Sequence, residues 1–397
     1  GLGLQSYTYA GNLCAGIDSQ FPWRKDRVRR DDGIGIAACL ALLESDTPTG
    51  KIECLFTISE ETGMDGAFGL DCSDIKGRML LNLDSEEDGV FTVSCAGGAR
   101  ADCVLPGKQE TLAGEVGYQV TISGLQGGHS GAEIDKGRGN ANQLMGRVLY
   151  TAMERLGGIR LADIRGGKFD NVICLRSDAL VAVPADKAEV FESFVAEFCA
   201  VLQNEYAGCD DGVVLTCRKA EVTTAISAEA TRNILQTLLV VPQGVQAMNV
   251  DFPGLVQTSL NLGVMTTQTD GVHFTLSVRS CIATQKEMLL QRLRAIMALG
   301  GGTVEVRSAY PGWQYARESL LRDRVMQAYT EISGKIGRIE ATHGGLECGL
   351  FIEKMPGLDA VSLGPELHDI HSERERLSVP STAQLYDVVC RILELSK

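Results

Sequence analysis

Lys51-Ile52-Glu53-Cys54-Leu55-Phe56-Thr57-Ile58-Ser59-Glu60-Glu61-Thr62-Gly63 is the stretch that decides the fold. Ile52, Cys54, Phe56 and Ile58 alternate with Glu53, Leu55 and Thr57, the period of a strand with one buried face. The acidic pair Glu60-Glu61 follows at once, so the strand ends in carboxylates. Upstream, Gly33 to Glu44 is apolar at helical spacing, and Asp31-Asp32 precede it. Downstream, Arg78 to Leu83 reads as a short buried strand that runs into Asp84-Ser85-Glu86-Glu87, and Val90 to Cys95 reads as another strand. This alternation predicts an α/β domain with a mostly parallel sheet and helices on its faces. In such a sheet, ligands bind beyond the carboxyl ends of the strands. Three acidic clusters on one rim repel one another unless a cation lies among them, so the pattern points to a metal site. Each cluster alone also fits a plainer reading. Asp31 and Asp32 suit helix N-caps, and the glutamate pairs suit solvated loops.

From about residue 98 the texture changes to paired strand-like and helix-like segments. Gly117–Ser123, Asn140–Glu154, Lys187–Gln203, Val256–Val264, His273–Cys281 and Glu287–Leu299 follow one another. This reads as α+β, built from two similar halves. After Tyr310-Pro311-Gly312-Trp313 the first texture returns and ends in a helix from Ser381 to Leu395. One domain made from residues 1–97 and 308–397, interrupted by an inserted domain over 98–307, is the economical organisation.

Composition narrows the function. Of 397 residues, 44% are hydrophobic and 22% charged, which excludes a disordered chain. A net charge of −14 disfavours nucleic-acid binding, which needs clustered cations. The one basic run, Arg24 to Arg30, is short and broken by Asp26. No apolar run reaches the roughly 18–20 residues that span a bilayer, so no membrane partner is expected. Residues 1–17 show no export signal. The 13 cysteines include no Cys-x-x-Cys pair and sit largely in apolar runs, the usage of small buried hydrophobes in a reducing cytoplasm. Of the five histidines, His129, His273, His343, His368 and His371, none lies before residue 129.

Six motifs carry a family resemblance. They are Asp31-Asp32-Gly33-Ile34-Gly35, Ser59 to Ala67, Asn82 to Glu87, Gly127-Gly128-His129-Ser130-Gly131, His343 to Gly349, and Gly364-Pro365 leading to His371-Ser372. Together they resemble the aminoacyl-histidine dipeptidases, within the dinuclear zinc peptidases that include carnosinases. The resemblance implies a catalytic domain over residues 1–97 and 308–397 and a lid or dimerisation domain over 98–307. It implies hydrolysis of dipeptides, especially Xaa-His. Asp31 would bridge two metals, Glu61 and His371 would complete one site, and Asp84 would bind the other. Glu60 would be the general base, and His129 would stabilise the oxyanion, typically across a homodimer. Asn261, Arg279, His343 and Glu347 would help bind the dipeptide. The bond after Asp31 would be cis when the metals are bound. His273 matches no motif and reads as structural.

One departure matters. The family carries a His-x-Asp motif on a strand upstream of the bridging Asp, and this chain has no early histidine. The short spacing between Ile17 and Asp31 predicts that one catalytic-domain strand is missing. The resemblance implies two zinc ions per chain. With one imidazole lost we expect a single tightly held zinc, with manganese and cobalt as alternatives, and weakened activity. Two other readings stay open: a non-catalytic family member retaining the fold and one metal site, and a related N-acyl amino acid deacylase.

Overall fold

The Ile52–Thr57 segment forms a strand. Ile52 and Cys54 are buried, but so is Glu53 on the opposite face. Its carboxylate accepts the backbone N–H groups of Lys76 and Gly77 at 2.7–3.2 Å, which satisfies the buried charge. Ile58, expected on the apolar face, lies past the strand end and is exposed. The structure, a computed structural model, describes residues 13–18, 30–46, 50–370 and 372–397. The chain divides into two units, Gly1–Ala96 with Pro311–Lys397, and Gly97–Tyr310.

Among the described residues, the first unit holds a six-stranded sheet. Its order is Arg338–Thr342, Val90–Cys95, Asp359–Ser362, Met79–Asn82, Leu13–Asp18, Ile52–Thr57. The last four run parallel, so their carboxyl ends share one rim. Leu13–Asp18 is paired on both sides, between the strands that lead to Glu60 and Asp84. The strand loss expected between Ile17 and Asp31 falls on residues 19–29, which lie outside the described residues. Val90–Cys95 and Arg338–Thr342 are parallel to each other and join the rest through the antiparallel pair Ser362↔Thr92. The Arg30–Glu44 helix buries Cys39 and Leu42. The Val379–Leu395 helix starts at Ser378, whose side chain accepts the Ser381 N–H, and buries Leu385, Val388, Val389, Ile392 and Leu393 on one helical face.

The second unit is two copies of one pattern. Its first half runs strand Glu115–Ser123, helix Ala141–Leu156, strands Arg160–Gly166 and Ser177–Pro184, helix Ala188–Glu205, strand Val214–Lys219. The other half repeats the order with Gly97–Pro106, Ala228–Val240, Val256–Gln268, Gly271–Ser280, Ala283–Leu299 and Thr303–Tyr310. The first copy is inserted into the second, after Gly97–Pro106. Numbering the strands 1–4 within each copy, the sheet order is 4-1-3-2 followed by 2-3-1-4. The copies meet where Arg160–Gly166 pairs antiparallel with Val256–Gln268, the same strand of each. Alternate residues such as Tyr118, Val120 and Ile122 face a core shared with Phe191, Phe194 and Leu202 from the helices. Each such buried side chain contributes roughly 1.5–3 kcal/mol.

Candidate active site

In the first unit, the chain leaving Ile52–Thr57 turns sharply before Glu60. Ser59 sits at φ 64°, a left-handed conformation uncommon for a side-chain-bearing residue, and Glu60 opens the short helix Glu60–Gly63. The Met64 N–H closes the turn on Ser59 O at 2.7 Å and Glu60 O at 3.1 Å. The Gly66 N–H then returns to Ile58 O at 2.9 Å, and a Cβ on Gly66 would lie 2.4 Å from Ile58 N. Glycine is thus required where the loop folds back on the strand end.

Asp84 follows Met79–Asn82, separated from Ile52–Thr57 in the sheet by Leu13–Asp18. Its loop is pinned by the Gly364–Leu367 segment, with the Leu367 N–H donating to Glu86 O at 2.8 Å and Ser85 Oγ 2.8 Å from Ser362 Oγ. A Cβ on Gly364 would lie 1.5 Å from Ser85 O, so the backbones approach too closely for any side chain. We expect Gly364→Ala to destabilise the first unit by about 3 kcal/mol, measured by chemical denaturation. Glu347 reaches the same rim. It is buried, and its Oε2 accepts the Thr57 hydroxyl at 2.9 Å. The buried Cys348 thiol is pushed well up by burial and by the nearby Cys95, Glu347 and Asp84. His343 is buried in the same loop. Asp84, Glu347 and the Glu60 turn thus gather at the carboxyl ends of parallel strands. The Asp31 and Glu61 side chains and all of His371 lie outside the described residues. The Asp31–Asp32 peptide lies within the Arg30–Glu44 helix, and no cis peptide bond occurs among the described residues, so the cis bond expected after Asp31 is not seen.

In the second unit, His129, Asn261 and Arg279 come together. His129 Nδ1 accepts two backbone N–H groups, from Gly131 and Ala132, each at 3.2 Å. In the neutral ring the proton therefore sits on Nε2, which is left as a donor. Burial, then the Arg279 guanidinium, hold the His129 pKa below its ordinary range, while Glu133 opposes the shift. Arg279 leans on Tyr310 OH at 3.4 Å, and its buried Nε has no hydrogen-bond partner among the described residues. Asn261 is engaged by its own unit. Its Nδ2 donates to Asp170 O and Val172 O at 2.9 Å each, and its Oδ1 accepts from Asn140 and Gln243 at 3.1 and 3.2 Å. All four positions of the amide are filled, and Val172 forms a β-bridge with His129. Asn261 thus holds the loop beside His129. His273 pairs with Asp270 at 2.7 Å and His368 with Glu366 at 3.5 Å.

Sequence reasoning missed Glu133, Arg138 and Thr57. Glu133 had a readable signal, a carboxylate four residues after His129. Thr57 had none, because its partner Glu347 is 290 residues away.

The depressed His129 pKa gives a pH dependence. Between the folded value and the ordinary value of 6.5, the unfolded chain binds the proton and the folded chain does not. Stability from this ring is therefore present above pH 6.5 and falls as pH drops toward the folded value. Urea unfolding between pH 5 and 7.5 should show this slope, and His129→Gln should flatten it.

Among the described residues, no three His, Cys, Asp or Glu side chains are grouped to hold a metal ion. Asp84 beyond Met79–Asn82 and Glu347 on Thr57 put two carboxylates at the strand-end rim, and oxygen donors of this kind suit a divalent cation. The twelve cysteines from Cys39 to Cys390 are free. No described helix is long and apolar enough to cross a membrane.

Residues 30–395 match peptidase family M20/M25/M40. The chain is 36% identical over 367 residues to the cytosol non-specific dipeptidase of Escherichia coli (strain K12), covering 92% of this chain and 76% of that one. The solved structure of aminoacylhistidine dipeptidase from Vibrio alginolyticus is similar with a TM-score of 0.90 and 31% identity, over 98% of this chain and 86% of that one. An aminopeptidase of Bacillus cereus ATCC 10987, 16% identical with a TM-score of 0.51 over 99% and 83% of the two chains, shares the fold. The match over nearly the whole chain, joined to the strand-end carboxylates and the His129 loop, makes this protein a member of peptidase family M20/M25/M40.

Proposed function

We propose that this chain is a cytoplasmic, zinc-dependent dipeptidase that hydrolyses Xaa-His and related dipeptides. The observation that carries the reading is the His129 ring, held neutral with its Nε2 proton free, beside the Arg279 cation. This pair suits a substrate with a carbonyl to polarise and a free carboxylate to bind. The similar dipeptidases support the substrate class.

The unit Gly1–Ala96 with Pro311–Lys397 is read as catalytic, and Gly97–Tyr310 as the lid. Asp31, Asp84, Glu61 and His371 would hold the metal, which when bound supplies Lewis acidity and acidifies water. Glu60 takes the proton of the attacking water and delivers it to the leaving amine. His129 Nε2–H donates to the carbonyl oxygen as negative charge develops there. Arg279 pairs with the substrate carboxylate. His343 and Glu347 line the strand-end rim, with Glu347 tied to Thr57. No step needs a nucleophilic Ser or Cys.

With no histidine upstream of His129, we expect one zinc per chain to survive dialysis, read by elemental analysis. We also propose a homodimer, which sedimentation would test. The function itself is tested by comparing hydrolysis of an Xaa-His dipeptide with that of an N-acetyl amino acid. Cleavage of the dipeptide supports the reading. Cleavage of the acetyl compound alone would make the protein a deacylase, and inertness toward each would make it non-catalytic.

A further inference from the structure

We infer that Glu133 and Arg138 are a positioning pair for His129, fixing which ring nitrogen carries the proton. The inference rests on the proposed role of His129, but its geometry stands independently. The turn from His129 to Glu133 is closed twice. The Glu133 N–H donates to His129 O at 2.8 Å, and the His129 N–H donates back to Glu133 Oε2 at 2.9 Å. Arg138 locks this carboxylate, donating from NH1 to Glu133 Oε1 at 2.9 Å and to Gly127 O at 2.6 Å. The pair lies tight against Gly128, where a Cβ would sit 2.5 Å from Arg138 NH1 and 2.7 Å from Glu133 Oε2. Gly128 has φ 134°, so the loop needs glycine for space and for conformation.

The loop is held on its other side as well. The Ser130 N–H donates to Asn171 O at 2.8 Å and the Ile173 N–H to Gly128 O at 2.9 Å, within the segment Asn261 secures. With the backbone fixed on two sides, the Gly131 and Ala132 N–H groups stay aimed at Nδ1. A proton on Nδ1 would face two donors, so the ring keeps its proton on Nε2. The charged groups around the ring are Glu133 and Arg138 from its own loop and Arg279 from the Gly271–Ser280 strand. Asp170, on the neighbouring loop, is taken up by Arg100 at 2.8 Å.

The test is ¹⁵N NMR of histidine-labelled protein, in which five rings can be assigned by single substitutions. We expect wild type to show His129 as the Nε2–H form alone at pH 7.5. E133A and R138M should each show a mixture of the two ring forms. Their kcat should fall on the order of 10-fold to 100-fold with KM changed less than about twofold, as misaimed groups lose rate more than binding. R138K, which keeps a cation on Glu133, should retain the single form and most of kcat. A merely structural brace would lower the melting temperature without moving the ring form. Folded E133A or R138M with an unmixed Nε2–H ring would overturn the inference. If E133A fails to fold, the contrast between R138M and R138K decides. A mixed ring in the variants of a protein that hydrolyses no dipeptide would uphold the pairing while removing the dipeptidase reading.

Discussion

Glu60→Gln is expected to lower kcat by about 10³- to 10⁴-fold while metal content after dialysis stays unchanged. The amide matches the carboxylate in shape but cannot accept the proton of the attacking water, and general-base catalysis is worth about 10²- to 10⁴-fold. The upper part of that range applies because Glu60 must serve twice, accepting a proton and then delivering it. The turn that carries it is costly to build. Ser59 sits in a left-handed conformation and Gly66 is pressed against Ile58 N, so the loop gives Glu60 little freedom to be replaced by a neighbour. Glu61→Gln makes the contrast. It should weaken metal binding, with loss of turnover following loss of metal. Elemental analysis beside steady-state kinetics separates the two, and unchanged turnover in both variants would remove the mechanism.

His129→Ala is expected to lower kcat by about 10²- to 10³-fold, the cost of deleting one preorganised donor to an oxyanion. KM should change little, because the donor acts where charge develops and not on the ground state. The geometry makes the expectation sharp. Two backbone N–H groups occupy Nδ1, so the ring offers its one remaining proton from Nε2. The depressed pKa keeps it neutral to lower pH than an ordinary histidine, so the acid limb of kcat should lie below that of an ordinary histidine. Stopped-flow rates from pH 5 to 8 read this limb, and the variant should lack it.

Much of this was legible in the sequence, where local pattern decides. The alternation from Ile52 to Thr57, the apolar spacing after Gly33 and the acidic runs at the strand ends are short-range signals, and the parallel sheet follows from them. The Asn140–Glu154 helix was legible for the same reason, with Asn140 as its cap accepting from Asn142 and Gln143. The burial of Glu53 does not show in the alternation, because its partners, Lys76 and Gly77, are brought in by the fold. The place of Leu13–Asp18 was hidden too, since pairing on two sides is non-local and spacing along the chain says nothing of it. The repeated pattern of Gly97–Tyr310 was visible as two halves, but the insertion of one within the other shows only in the strand order. Asn261 was expected to help bind the dipeptide because the family resemblance implies it. Its saturation by Asp170, Val172, Asn140 and Gln243 is a property of the packed loop.

The central claim, a metal-dependent dipeptidase, is tested most directly by one titration. Purified protein is stripped with a chelator, zinc is added back in steps, and hydrolysis of an Xaa-His dipeptide is followed alongside bound metal. The account expects no turnover in the stripped protein and recovery that tracks the first tightly bound zinc per chain. Full turnover in metal-free protein, or zinc-loaded protein that leaves every Xaa-His dipeptide intact, would contradict it.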